Sequence, residues 1–245
     1  MKTALITGAS GGIGKALVKS FVKQGYFVSA WYNSDKNGIT TLLSELESEG
    51  FGGYVFPVQA DFSSLDSVKE GIEQTKCNFK HIDVLINNAG VSLYKLSHET
   101  SDEEWDKVFS VNTKTPFMLT KFVLPQMISR ESGKIINISS VWGVAGASME
   151  TVYSASKSAL IGFTKALAKE VAPSKITVNC ICPGVIDTKM NAQFSKSELA
   201  EIQSEIPLGR IGNPEDVSEL AVFLASDKAQ YITGQIITCD GGYIL

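Results

Sequence analysis

Short apolar runs alternate along the chain with longer segments in which apolar residues recur every three or four positions. The short runs are rich in β-branched residues and predict strands at 4–7, 27–32, 54–58, 84–86, 134–138, 177–181 and 235–238. The longer segments predict helices at 13–24, 39–49, 65–77, 101–130, 152–171 and 214–225. Several strands are apolar at almost every position, as expected when helices cover both faces of a parallel sheet.

This alternation predicts the fold class. We expect an α/β chain with a doubly wound, Rossmann-type parallel sheet and helices on both faces. Right-handed crossovers would place the carboxyl ends of all strands at one edge of the sheet, where ligands bind. No repeat, low-complexity tract or linker interrupts the pattern, so residues 1–245 are expected to form a single domain. The more polar stretch 187–206 is expected to form a mobile cap over the site.

Composition narrows the classes of partner and location. Of the 245 residues, 44% are hydrophobic and 20% are charged, and the formal net charge is −4. Because this net charge creates no positive electrostatic field, neither nucleic acid nor an anionic membrane is an expected partner. No signal-peptide pattern or membrane-spanning apolar run is present, so a cytoplasmic protein is expected. The four cysteines are expected to be reduced thiols, and no metal site is predicted, because too few ligands cluster.

A glycine-rich loop joins the first predicted strand to the first predicted helix. It reads Thr7-Gly8-Ala9-Ser10-Gly11-Gly12-Ile13-Gly14. Glycines allow the backbone to approach a phosphate closely, and a helix amino terminus offers free N–H groups and a positive dipole end. The strand before the loop and the helix after it favour a dinucleotide-binding loop over a plain turn.

The glycine spacing is T-G-x-x-x-G-x-G, and further motifs accompany it: Asn87-Asn88-Ala89-Gly90, Asn112, Ser140, Tyr153-x-x-x-Lys157 and Pro183-Gly184. With these motifs the chain resembles the short-chain dehydrogenase/reductase family over essentially all 245 residues. The resemblance implies an enzyme that transfers a hydride between a nicotinamide cofactor and a carbonyl or alcohol carbon.

The resemblance also implies four catalytic residues. Tyr153 would be the general acid in reduction and the general base in oxidation. Lys157 lies one helical turn away on the same face, and its ammonium is expected to lower the tyrosine pKa from about 10. Ser140 would hydrogen-bond to the substrate oxygen, and Asn112 would hold a water that links Lys157 to solvent.

Cofactor contacts are implied at the glycine loop, at strand ends and at the catalytic helix. They are Gly8, Ser10, Gly11, Gly12, Ile13, Gly14, Tyr32, Asn33, Ser34, Asp61, Phe62, Asn88, Ala89, Gly90, Tyr153, Lys157, Pro183, Gly184, Val185, Ile186 and Thr188. A carboxylate at the end of the second strand would bind a ribose 2′-hydroxyl and repel a 2′-phosphate. Here Tyr32-Asn33-Ser34 come before the first acid, Asp35, and Lys36 is a further candidate donor. The residues therefore predict NADP(H) over NAD(H), although Gly11 stands where many NADPH-using relatives carry arginine.

Two ketones fit the sequence. The resemblance to 3-oxoacyl-[acyl-carrier-protein] reductases of fatty-acid synthesis extends to Asp240-Gly241-Gly242 and implies a carrier-bound substrate. Glu131 and Ser174 stand where such reductases often carry carrier-docking arginines, with Arg130 and Lys175 adjacent.

The second resemblance runs from Ser139 to Lys157. It matches reductases of the 5-aminopentanone group on a lysine of elongation factor P. A Trp face and a carboxylate would suit an ammonium, so Trp142 and Glu150 join Ser140 and Tyr153 as candidate substrate residues. The competing interpretation places Trp142 in the core and Glu150 in solvent.

A different class of function is also considered, a non-catalytic NADP-binding regulator. The intact catalytic residues disfavour it. By resemblance the chain is expected to form a homotetramer through 101–130, 152–171 and 235–245. The apolar tail would be buried at a subunit interface.

Overall fold

The predicted strands form one parallel sheet in the computed structural model, which describes residues 2–191 and 195–244. Along the chain they are β1 (Thr3–Thr7), β2 (Phe27–Tyr32), β3 (Val55–Gln59), β4 (Val84–Asn87), β5 (Gly133–Ile138), β6 (Ile176–Pro183) and β7 (Ile236–Cys239). The spatial order is β3-β2-β1-β4-β5-β6-β7, so the direction of winding reverses between β1 and β4. The doubly wound α/β prediction is therefore confirmed.

Helices cover both faces of the sheet. In the described residues they are α1 (Gly12–Lys23), α2 (Lys36–Ser48), α3 (Leu65–Asn78), α4 (Asp102–Phe109), α5 (Thr115–Ser129), α6 (Trp142–Ala145), α7 (Thr151–Val171), α8 (Lys196–Glu205) and α9 (Pro214–Ala225). Successive side chains of a strand point to opposite faces, so Leu5 and Ile6 of β1 enter two different apolar clusters. The almost wholly apolar strands thus supply both cores. No helix of the described residues is long and apolar enough to cross a membrane.

The predicted long helix 101–130 is interrupted. A capping box between Ser101 and Glu104 starts α4, and α4 ends at Phe109. A π-helical turn over Ser110–Lys114 then precedes α5. Such a turn inserts one residue without ending the helix, so the apolar repeat did not reveal it. The turn buries Asn112 completely.

The predicted cap, 187–206, forms a short 3₁₀ turn at Lys189–Asn191 and then α8. A capping box between Ser195 and Glu198 fixes the start of α8. Residues 192–194 of this segment lie outside the described residues. The α8 residue Ile202 lines the large cavity described below, which agrees with a cap, and the mobility of the segment stays a prediction.

Candidate active site

A cavity of about 1000 Å³ opens at the carboxyl ends of the strands. Segments that follow β1 to β6 all contribute to its walls, as the doubly wound topology requires. It brings together most of the residues predicted for cofactor and substrate: Gly8, Ser10, Gly11, Gly12, Ile13, Gly14, Asn33, Ser34, Asp61, Phe62, Asn88, Ala89, Gly90, Ser140, Trp142, Glu150, Tyr153, Lys157, Pro183, Gly184, Val185, Ile186 and Thr188. Tyr32 is not among the lining residues, since it is buried at the end of β2.

The glycine loop leaves no room for side chains on the residues that shape it. A Cβ on Gly14 would lie 1.9 Å from the carbonyl oxygen of Gly8. Gly8 itself has a φ of 69°, in the left-handed region that glycine adopts without strain. The N-cap of α1 is Gly11, whose missing side chain leaves the first turn uncapped and open to the cavity. Such an end suits a phosphate.

The loop after β4 is fixed to the glycine loop by a compact set of hydrogen bonds. The Thr7 hydroxyl accepts from the backbone N–H groups of Asn88 and Ala89, each at 2.9 Å. The Asn88 amide donates to the Thr7 carbonyl at 2.8 Å. Two strand ends distant in sequence are thereby held as one wall of the cavity.

Ser140, Tyr153 and Lys157 meet at the floor of this cavity. Ser140 follows β5, and its hydroxyl accepts from the Trp142 N–H at 3.2 Å. The Tyr153 hydroxyl forms a hydrogen bond with Ser140. The Lys157 Nζ lies 5.8 Å from the centre of the Tyr153 ring and donates to the Ile138 carbonyl at 2.8 Å.

Burial controls the two titratable groups of the site. It raises the pKa of Tyr153 to about 12, against a lowering hydrogen bond from Ser140, and the charge of Glu150 adds to the rise. Burial also lowers the pKa of Lys157 to about 8. The expected lowering of the tyrosine pKa by Lys157 is therefore wrong in this structure. The ammonium donates to the Ile138 carbonyl, and the cost of desolvating a phenolate dominates the tyrosine pKa.

Asn112 lies behind the catalytic residues, in the π-helical turn. Its amide nitrogen donates to the Val91 carbonyl at 2.9 Å and to the Ser156 hydroxyl at 3.0 Å. Its amide oxygen accepts from the Val91 N–H at 2.9 Å. The side chain thus joins the loop after β4 to α7. The water that Asn112 is predicted to hold stays a prediction.

The other end of the cavity contains an aromatic residue that no motif indicated. Tyr243, near the end of the chain, packs edge-on against Trp142 with ring centres 5.8 Å apart. The tyrosine also hydrogen-bonds with Glu205 of α8. Asp240 accepts from the Gly242 and Ile244 N–H groups and so shapes the turn that presents Tyr243. Only the position of this tyrosine after the last strand could have suggested a place near the site.

Glu150 faces the same end of the cavity and is only 9% exposed. Its Oε2 has no hydrogen-bond partner among the described residues. Burial raises the pKa of this carboxyl. Glu150 is therefore buried and not solvated as the competing interpretation had it, and Trp142 is only partly buried and lines the cavity.

The surface positions considered for carrier docking are already engaged. Arg130 donates to Asp83 at 2.7 Å and to the Ile82 carbonyl at 3.1 Å. Lys175 pairs with Glu131 at 2.5 Å. Both cations have intramolecular partners, and an acidic carrier would have to compete with these partners.

Comparisons with known proteins agree with this geometry. A family model described as short chain dehydrogenase matches residues 2–199. The 3-oxoacyl-[acyl-carrier-protein] reductase FabG of Thermotoga maritima is 42% identical over 244 residues, which are 100% of this chain and 98% of that protein. The uncharacterized oxidoreductase YmfI of Bacillus subtilis is 41% identical over 242 residues, 99% of this chain and 98% of that protein.

A solved structure from Beutenbergia cavernae shares the fold. It is assigned provisionally as an NAD(P) dependent gluconate 5-dehydrogenase and holds NADP at low occupancy. Its TM-score with this chain is 0.92 at 35% identity, covering 99% of this chain and 96% of that one. The likeness therefore extends to the whole sheet and its helices.

Proposed function

The chain belongs to the short chain dehydrogenase family of oxidoreductases, and we propose that it reduces a ketone to a secondary alcohol with NADPH. The observation that carries this proposal is the meeting of Ser140, Tyr153 and Lys157 at the floor of a cavity that begins at the glycine loop. A regulator that only bound the nucleotide would need the loop but not this buried trio.

The cavity fits a dinucleotide. Gly8 and Gly14 leave space where side chains would clash, and the uncapped start of α1 suits the diphosphate. We assign the adenosine ribose to Asn33 and Ser34, the adenine to Asp61 and Phe62, and the nicotinamide to the segment 183–188. The NADP in the Beutenbergia cavernae structure and the lack of an acid before Asp35 support NADP(H) over NAD(H).

Each catalytic residue has a separate task in this proposal. When bound, the nicotinamide would supply the hydride for the carbonyl carbon. The proton for the carbonyl oxygen comes from the Tyr153 hydroxyl, which its raised pKa keeps protonated at neutral pH. Ser140 holds the carbonyl oxygen beside that hydroxyl. Lys157 keeps a positive charge below its pKa of about 8 and, as a predicted cofactor contact, would bind the nucleotide.

The first candidate substrate is a 3-oxoacyl chain on an acyl carrier. Its support is the name of the Thermotoga maritima relative and of further relatives at 39–40% identity from Chlamydia trachomatis and Staphylococcus aureus. The ion pairs of Arg130 with Asp83 and of Lys175 with Glu131 weaken this candidate. An acidic carrier would have to compete with these two carboxylates.

The second candidate is a ketone that ends in an amine, the 5-aminopentanone group on elongation factor P. The buried Glu150 favours it, since a carboxylate with an unpartnered oxygen would gain an ion pair from an ammonium. The Trp142 ring, which lines the same cavity, offers a face to the same cation.

A side-by-side assay distinguishes the two candidates. NADPH oxidation would be followed with an acetoacetyl thioester and with the aminopentanone-bearing protein, in wild type and in Glu150→Gln. If the amine is the substrate, Glu150→Gln should lower kcat/KM for it about tenfold or more and leave slow thioester turnover unchanged. If only the thioester is turned over, the amine candidate is discarded. If neither ketone supports NADPH oxidation, both candidates are discarded.

We also propose a cytoplasmic homotetramer. Large apolar side chains on α4 and α5 support assembly, because Trp105 is 44% exposed, Phe117 52% and Ile128 46%. Light scattering at micromolar protein should give about four times the chain mass, and a monomeric mass would contradict assembly.

A further inference from the structure

An ion pair spans the mouth of the cavity at its adenosine end. The Nζ of Lys189, in the 3₁₀ turn after β6, lies 3.9 Å from Oδ2 of Asp35, just beyond β2. Both residues line the cavity. The other oxygen of Asp35 accepts from the Gly38 N–H at 2.8 Å, which fixes the carboxylate at the start of α2. The lysine side chain is 95% exposed and is free to change partner.

Among the described residues, four lysines line the cavity: Lys15, Lys107, Lys157 and Lys189. Lys157 is buried at the catalytic end. Lys107 and Lys15 lie in the electrostatic fields of carboxylates other than Asp35. Only Lys189 of these four reaches the first acid after β2. Lys36, the other candidate from the sequence, is not a lining residue.

Asp35 lies three residues beyond the end of β2, past the positions whose lack of an acid favours NADP(H), but it still lines the cavity. The end of β2 meets the adenosine ribose in this fold, and a carboxylate there repels a 2′-phosphate. The loop also lacks a cation at Gly11 that could offset the repulsion. Within the proposed NADPH function, a positive charge that offsets Asp35 would favour the 2′-phosphate, and Lys189 is placed to supply it.

We propose that Lys189 is a specificity-determining residue that admits the adenosine 2′-phosphate. It neutralises Asp35 across the cavity mouth and pairs with the phosphate when the nucleotide enters. The inference rests on the proposed NADPH function and adds to it a residue from the cap side of the cavity. Because NADPH and NADH differ only in the 2′-phosphate, Lys189 should affect the two nucleotides unequally.

The test is a fluorescence titration of NADPH and of NADH into the full chain, with no ketone present. Lys189→Gln should weaken NADPH binding about tenfold and change NADH binding less than about twofold. Adding Asp35→Asn to that variant should recover about threefold or more of the NADPH affinity, because the repelling charge is gone. Asparagine keeps an oxygen for the Gly38 N–H, so α2 stays capped.

Lys36→Gln is the matched control, since it removes the same charge next to Asp35 but outside the cavity. A selective NADPH loss in that variant as large as in Lys189→Gln would overturn the inference in favour of a diffuse field. Equal weakening of both nucleotides, or no change, would also overturn it. A wild type that binds NADH as tightly as NADPH would instead count against the proposed cofactor itself.

Discussion

The two ends of the cavity are built in different ways. At the cofactor end, backbone atoms of β1, α1 and the loop after β4 approach one another so closely that Gly14 cannot carry a Cβ. At the substrate end, Trp142, Glu150 and Tyr243 are brought together from a short helix, the start of α7 and the chain terminus. The Trp142 and Tyr243 rings contact each other through their side chains, and Glu150 keeps an unpartnered oxygen.

Because of this difference, the residues that recognise the substrate can change without altering those that carry out the reaction. Backbone packing tolerates few substitutions, so the end that we assign to the cofactor leaves little room for change. Side-chain contacts can change without disturbing the sheet, so the substrate end can be adapted to another ketone on the same fold. Tyr153 and Ser140 lie where the two ends meet, and mutations there and at either end should therefore give distinct kinetic signatures.

The largest effect is expected where the ends meet. Tyr153→Phe removes the proton donor but keeps the ring, so kcat should fall about a thousandfold. NADPH affinity, measured by fluorescence titration, should change less than about threefold, because the glycine loop is untouched. Turnover within tenfold of wild type would show that another group donates the proton.

The same contrast explains what the sequence could predict. The strand pattern and the spacing of Gly8 to Gly14 are local, and the motifs they carry predicted most of the residues that line this end of the cavity. No sequence motif indicated that Tyr243 would lie at the site, because its nearness to Trp142 depends on how the end of the chain folds back. The direction of the Tyr153 pKa also required the structure, because burial is set by packing and not by the spacing to Lys157. The π-helical turn at Asn112 was hidden since one inserted residue barely alters a helical repeat.

A smaller effect should follow from pH. Burial lowers the pKa of Lys157 to about 8, well under that of an exposed lysine, so its ammonium is present below this value and is lost above it. If the charge supports nucleotide binding and proton donation, kcat/KM for NADPH should be level below pH 8. It should fall about tenfold per unit above pH 8, since this parameter reports the free enzyme.

The measurement is a pH profile of ketone reduction with NADPH as the varied substrate. The descending limb should persist in Glu150→Gln, whose carboxyl lies at the substrate end. A profile that stays flat to pH 10 would mean that Lys157 is either fully charged in the working enzyme or not needed in that form.

The smallest effect is expected at the substrate end itself. Tyr243→Phe keeps the edge-on packing against Trp142 and removes the hydroxyl that bonds with Glu205 of α8. The KM for the ketone should rise about threefold, with kcat and NADPH affinity unchanged, because a single partly exposed hydrogen bond contributes little. The matched control is Tyr231→Phe, whose hydroxyl lies on a fully exposed side chain. An equal change in the control, or a change in NADPH affinity, would show that the two ends of the cavity are not independent.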